Sequence, residues 1–341
     1  MAAKFGYDVG PPAAIGMLAI LLALAAAAGY GGSDFAAGLA SRKASVLLVT
    51  FVATVCALVP TLVVLPWAGT QTLSAAALGW GTAAGLGGML GALALYVGFR
   101  RAAFSVAGPI SAVSAAGLSV IVGVLLGERP SLLSLAGIGV ALPAIVLVSL
   151  TAAPPGPSQP LPGAASDPAV SGPGLPDSEL PGAGVPGLGS HPVTHRTRAG
   201  VAWGLAAGTG FALLFVGLNR AGSGAGIWPV LSGQAAEVVV LTGLVVLTRG
   251  FRNRLSGAGG WLSSGALAVL TGVTGGGATI LYFFATHDGF LAITAVLTSL
   301  YPAVTIGLAR VLVSERLSAA RLAGLALAGA SVTLIALGGT G

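Results

Sequence analysis

Residues 124–138 read VLLGERPSLLSLAGI, and residues 311–325 read VLVSERLSAARLAGL. Glu128 falls against Glu315 at an offset of 187, and at that offset residues 102–150 pair without a gap with 289–337, identical at 12 of 49 positions. A front portion matches at an offset of 179, where Ala27, Ala28, Gly29, Gly31, Gly38 and Leu39 meet Ala206, Ala207, Gly208, Gly210, Gly217 and Leu218. The second copy therefore holds eight more residues between its first and fourth helices, the difference between 187 and 179. A duplication constrains architecture before any local motif does, because each copy must bury the same faces.

Composition decides the solvent in which those faces are buried. The chain is 55% hydrophobic and 7% charged over 341 residues, with mean hydropathy +0.96. Soluble domains carry about 25% charged residues, so much of this surface faces lipid. A membrane-crossing helix needs roughly 20 apolar residues. That rule predicts spans at 13–39, 44–66, 73–98, 102–126 and 132–151, then 199–219, 226–248, 261–285, 290–313 and 319–338. The first is too long for a cleaved leader and is followed by nine more. Between the two sets, residues 152–198 hold 11 of the 20 prolines. Such a stretch has too little apolar surface to offset its ordering entropy, and it is expected to be a disordered tether. The domain reading is thus 1–151, first five-helix repeat; 152–198, linker; 199–341, second five-helix repeat. An odd number of spans per copy forces the second copy upside down relative to the first, with a central site between the two. The expected fold class is an all-α integral membrane protein of ten transmembrane helices, arranged as two inverted five-helix repeats around a central cavity.

Charge excludes some functions. The net charge is +6, but the basic residues sit in short loops between spans, so nucleic acid is not an expected partner. With both termini outside, eleven basic residues from Arg42 to Arg321 fall inside, and only Lys4, Arg129 and Arg220 fall outside. The positive-inside rule favours that arrangement. Cys56 is the one cysteine and reads as a small apolar residue in a helix. No metal and no cofactor is expected.

The motifs carry a resemblance. Leu95-Tyr96, Pro109-Ile110-Ser111 and Gly127-Glu128-Arg129, with their counterparts Leu281-Tyr282, Ser299-Leu300-Tyr301-Pro302 and Ser314-Glu315-Arg316-Leu317-Ser318, resemble EamA-type transporters of the drug/metabolite transporter superfamily. Gly32-Ser33-Asp34-Phe35, followed by Gly38-Leu39-Ala40-Ser41-Arg42, resembles a bacterial branch of that family. The resemblance implies ten helices, a central cavity, and export or uptake of small metabolites or drugs. It also implies termini in the cytoplasm, opposite to the charge distribution.

Ionisable groups inside spans are where chemistry is sought, since each costs about 2.5–3.5 kcal/mol at a helix centre on insertion scales. Glu237 lies midway along its span. It is either a protonatable site or substrate-amine contact, or a buried strut held by Arg310 or Gln234. Asp34 either meets a cationic group of the substrate or ends its helix at the interface near Arg42 and Lys43. Arg310 either contacts a substrate carboxylate or snorkels to the interface. Tyr30, Tyr282 and Tyr301 are further candidates for the cavity wall, as are Tyr96 and Trp203. Pro109 and Pro302 are candidate hinges, because each removes one helical hydrogen bond. Glu128 and Glu315 are read as caps of the helices that follow them, helped by Ser131 and Ser318. His287 beside Asp288 is the one membrane-proximal pair available to an intramembrane enzyme, and catalytic residues are not expected.

The leading expectation is a secondary transporter in the plasma membrane. It would move a small metabolite or drug-like solute by alternating access, as an exporter coupled to protons or another ion. No phosphate-binding glycine motif is present. A lipid-linked-sugar flippase of the same superfamily is the alternative, and an intramembrane enzyme a distant third.

Overall fold

Apolar runs of this length become helices in lipid because no water is present to satisfy an open backbone. A computed structural model describes residues 16–67, 69, 73–101, 104–149, 191–247, 261–313 and 318–339. Among the described residues no strand occurs. The helices are α1 (Met17–Lys43), α2 (Val46–Val64), α3 (Ala75–Arg101), α4 (Phe104–Leu125), α5 (Leu132–Ser149), α6 (His191–Arg220), α7 (Trp228–Leu247), α8 (Trp261–His287), α9 (Leu291–Thr298), α10 (Tyr301–Val313) and α11 (Ala319–Gly339). Eight of them are long and apolar enough to cross a membrane. Two further apolar stretches, Leu132–Val148 and Leu291–Thr305, are shorter. Large apolar side chains such as Leu62, Leu90, Ile121, Val239 and Val246 point outward, an exposure that suits lipid and not water.

Two boundaries differ from the sequence reading. The single span expected over 290–313 is two helices, α9 and α10, parted at Ser299–Leu300. Pro302 has no N–H to return to the Thr298 carbonyl, which weakens the helix at the break, although Pro60 and Pro143 lie within helices that stay continuous. Residues 191–198, assigned to the tether by composition, form the first turns of α6. Hydropathy marks only the lipid-crossing part of a helix, and Pro192 is tolerated in a first turn because its missing N–H would be unpaired anyway. The rest of the expected tether lies outside the described residues, as does Glu315.

Glycine and alanine let the helices approach closely, which is how packing replaces the hydrophobic drive inside lipid. As α1 advances from Gly29 to Ser33, its neighbour on α8 falls back from Ala278 to Thr271, so the two run antiparallel. α3 and α6 are also antiparallel, with Gly87 against Gly210 and Gly98 against Trp203. By contrast α2 runs parallel to α8, Ala53 meeting Gly272 and Ala57 meeting Gly276. α3 runs parallel to α7, where Gly81 meets Pro229 and Gly85 meets Gly233. Gly29 stands over Thr274 and Ala278, and Gly210 stands over Gly87 and Gly91. The partners differ by 187 in both cases, whereas Gly29 and Gly210 differ by 181. The contacts thus shift the front alignment by two residues from the offset of 179. A helix so rich in Gly and Ala offers several near-equal registers, and only contact chooses among them.

The end of α4 corrects another expectation. Gly127 has φ 94°, the Glu128 N–H donates to the Gly123 carbonyl at 3.0 Å, and the Gly127 N–H donates to the Val124 carbonyl at 3.0 Å. These two bonds are the Schellman pattern that ends helices at a left-handed glycine. The turn carries Glu128 away from α5, whose first turn is capped by Ser131 through the Ser134 N–H at 3.1 Å. The Glu128 carboxylate instead accepts from the N–H groups of Leu291 and Ala292, the second at 2.9 Å. It therefore caps α9, more than 160 residues further along the chain. Gly123 leaves the room, since a Cβ there would meet that carboxylate. Burial pushes the Glu128 carboxyl up from its ordinary range, opposed by the two N–H donors.

Candidate functional site

Polar side chains on apolar helices turn inward because lipid offers them no partner. α1, α2 and α3 together with α6, α7 and α8 surround a cavity of ≈ 130 Å³, with Tyr301 of α10 closing one side. That is on the order of ten times the space one water molecule needs. It lies at mid-length of the helices: Tyr30 is at the middle of α1, and Glu237 at the middle of α7.

Asp34 and Glu237 both line this cavity. They come from helices far apart in sequence, and the structure brings them to one chamber. The Glu237 carboxyl faces the Thr54 hydroxyl of α2. Gln234, one turn before Glu237 on the same face of α7, also lines it; Gln234 is 4% exposed and its Oε1 has no partner. Asp34 is not at a helix end, since α1 continues nine residues beyond it to Lys43.

The wall is aromatic on several sides. The Tyr30 hydroxyl bonds to that of Thr279 at 2.9 Å, and its ring lies 6.5 Å from that of Phe215. The Tyr301 hydroxyl is 3.4 Å from that of Ser111. Tyr96 and Phe211 complete the lining from α3 and α6. Most of the lining hydroxyls already donate within the protein. Ser33 gives its proton to the Thr271 carbonyl at 2.9 Å, Thr50 to Val46 at 2.9 Å, and Thr279 to Gly275 at 3.0 Å. No Lys, Arg or His stands among the described lining residues.

Other candidates fall elsewhere. Tyr282 is fully buried, with its ring 4.5 Å from that of Phe215 and its hydroxyl donating to the Phe215 carbonyl at 3.4 Å. It does not line the cavity; it packs behind the wall. Trp203 packs against Gly98, also away from the lining. Arg310 is on α10, and its side chain lies outside the described residues. Pro109 sits inside α4, which stays continuous around it; Pro302 is in the first turn of α10, just after the break. The Nδ1–H of His287 donates to the Phe283 carbonyl at 2.6 Å, so the ring closes the end of α8. Among the described residues no group of three or more His, Cys, Asp or Glu could hold a metal ion. Sequence reasoning did not find Thr50, Thr54, Phe211 or Phe215 as lining residues. Neutral residues in apolar helices carry no signal of which way they face. Gln234 carried a faint one, its spacing of three from Glu237.

Residues 17–150, from α1 to the end of α5, match the model of the EamA-like transporter family. That match covers less than half of the chain and is to the family that the motifs resemble. With eight helices long and apolar enough to cross a membrane, the chain is a multi-pass membrane protein. No curated protein matches the chain. Among solved structures, one titled only "Crystal structure of protein" aligns over 93% of this chain and 95% of its own, with a TM-score of 0.63 at 17% identity. That likeness concerns the fold.

Proposed function

We propose that this EamA-type protein is a secondary transporter moving a small metabolite or drug-like solute across the plasma membrane by alternating access, as an exporter coupled to protons. One observation carries the reading: Asp34 of α1 and Glu237 of α7 converge on a single chamber at mid-length of the helices. Struts between neighbouring helices would have no reason to share a chamber. Carboxylates in such a place can bind a proton or a cationic group in turn, which is what coupling requires.

The same proposal includes two inverted five-helix units. Antiparallel packing of α1 on α8 and of α3 on α6, with parallel packing of α2 on α8 and of α3 on α7, supports it. If α6–α11 repeated α1–α5 without inversion, first and third helices would run together. Rocking one unit against the other would open the chamber to each face in turn.

Purified protein in proteoliposomes under an imposed pH gradient tests this. Solutes are taken first from metabolite profiling of cells with and without the gene. Glu237→Gln should abolish gradient-driven accumulation while leaving downhill exchange measurable. An unchanged pH dependence in that variant removes Glu237 from the coupling.

A further inference from the structure

The ionisable groups of the chamber wall that carry charge are both acidic, and no described basic group faces them. Asp34 and Glu237 present carboxyl groups, and Gln234 Oε1 is buried there with no partner. The protons of Ser33, Thr50, Thr271 and Thr279 are spent on backbone carbonyls. A hydroxyl that has donated its one proton can only accept. No basic side chain stands among the described lining residues. A buried acceptor without a donor is destabilising, and an unpaired buried charge more so. The ligand that removes both penalties brings several N–H donors and a positive charge.

The rest of the wall describes the rest of the ligand. Tyr30, Tyr96, Phe211 and Phe215 line the chamber beside the carboxyls, and the face of an aromatic ring attracts a cation within about 6 Å. Met89, Gly85 and Gly276 add apolar, adaptable surface. From these observations we propose that the chamber selects amphipathic organic cations: a protonated amine held by Asp34, Glu237 and Gln234, on an aromatic or aliphatic body held by the tyrosine and phenylalanine rings. An acidic or zwitterionic solute would set its carboxylate against a wall of acceptors and is excluded. The assignment rests on the transporter reading and names its substrate class.

Calorimetry on the full chain in lipid nanodiscs tests it with four probes of one shape: phenylethylamine, 3-phenylpropanol, 3-phenylpropionate and phenylalanine. The amine should bind roughly tenfold more tightly than the alcohol, and the two carboxylates should give no measurable binding. Asp34→Asn and Glu237→Gln should each weaken the amine by about tenfold. Gln234→Glu adds an acceptor charge and should tighten it, a gain that misfolding cannot imitate. Equal binding of amine and alcohol overturns the proposal, as does binding of either carboxylate. Failure of all four probes also overturns it. If the proteoliposomes nevertheless carry a neutral or acidic metabolite, transport stands and only the cation class falls. If they carry no solute of any charge, the transport reading itself falls.

Discussion

Tyr96 and Tyr282 each follow a leucine near the end of α3 and α8. They stand 186 apart, one short of the 187 between contact-matched positions on those helices, so Tyr96 corresponds to Phe283. Their surroundings differ. Tyr96 lines the chamber, and Tyr282 lies behind the wall against Phe215. The hydroxyl of Tyr282 donates to the Phe215 carbonyl and meets the Thr286 and Thr294 side chains, so Tyr282→Phe should cost about 1–3 kcal/mol by leaving those partners unpaired. Tyr282→Ala would remove a fully buried ring, and a loss of about 3–5 kcal/mol is expected. Thermal unfolding of the two variants in detergent separates packing from chemistry at this residue. Gly85 is a second residue with a sharp expectation. A Cβ there would strike the backbone of Gly233, so Gly85→Val must force α3 and α7 apart at a cost of about 1–3 kcal/mol. The charged residues of the chamber were legible in the sequence because a carboxyl in an apolar run is conspicuous. Thr54 and Phe215 were not, since nothing in a run of letters fixes the rotation of a helix about its axis.

At the scale of the element, the pair α4 and α9–α10 is the informative one. Both α4 and α9 begin at matching positions, Phe104 and Leu291, 187 apart. α4 passes through Pro109 unbroken, whereas α9 stops before Pro302. Pro109 removes one bond in the second turn of its helix and Pro302 removes one in the middle of a span. Pro143 stands well inside the continuous α5, so the position of a proline does not alone decide a break. The short α9 is the element most dependent on its cap. Glu128 supplies that cap from outside the helix through two charge-assisted bonds, and a cap of this kind contributes about 1 kcal/mol. Glu128→Ala should speed hydrogen exchange at the amides of Leu291 and Ala292 several-fold. The amides of α11 should be unchanged. Equal exchange at Leu291 and Ala292 in variant and parent would mean that the carboxylate does no capping. Sequence reading saw Glu128 as a helix cap and was right about its chemistry. It chose the wrong helix, because a Schellman turn redirects the side chain in a way that spacing does not reveal.

At the scale of the whole molecule, the running directions decide topology. Glu128 caps α9 at the face where α4 ends and α9 begins, and the alternation of helices puts Ser318 at the opposite face. Replacing Cys56 with alanine and placing single cysteines at Arg129 and Ser318 gives a direct measurement. The two should react with a membrane-impermeant maleimide from opposite sides of the bilayer. Labelling of both from one side would remove the inverted arrangement, and with it the rocking that the proposed transport needs. The side on which Ser318 reacts also decides between the charge distribution and the orientation that the family resemblance implies.

By itself the sequence determined the solvent and the helical class, because hydropathy is a sum over neighbouring residues. The tertiary structure decided which carboxyl groups share a chamber, which tyrosine faces it and where the helix at Pro302 breaks. Those depend on the angle each helix adopts against partners a hundred or more residues away. Contacts between glycine-rich surfaces set that angle, and no local pattern contains it.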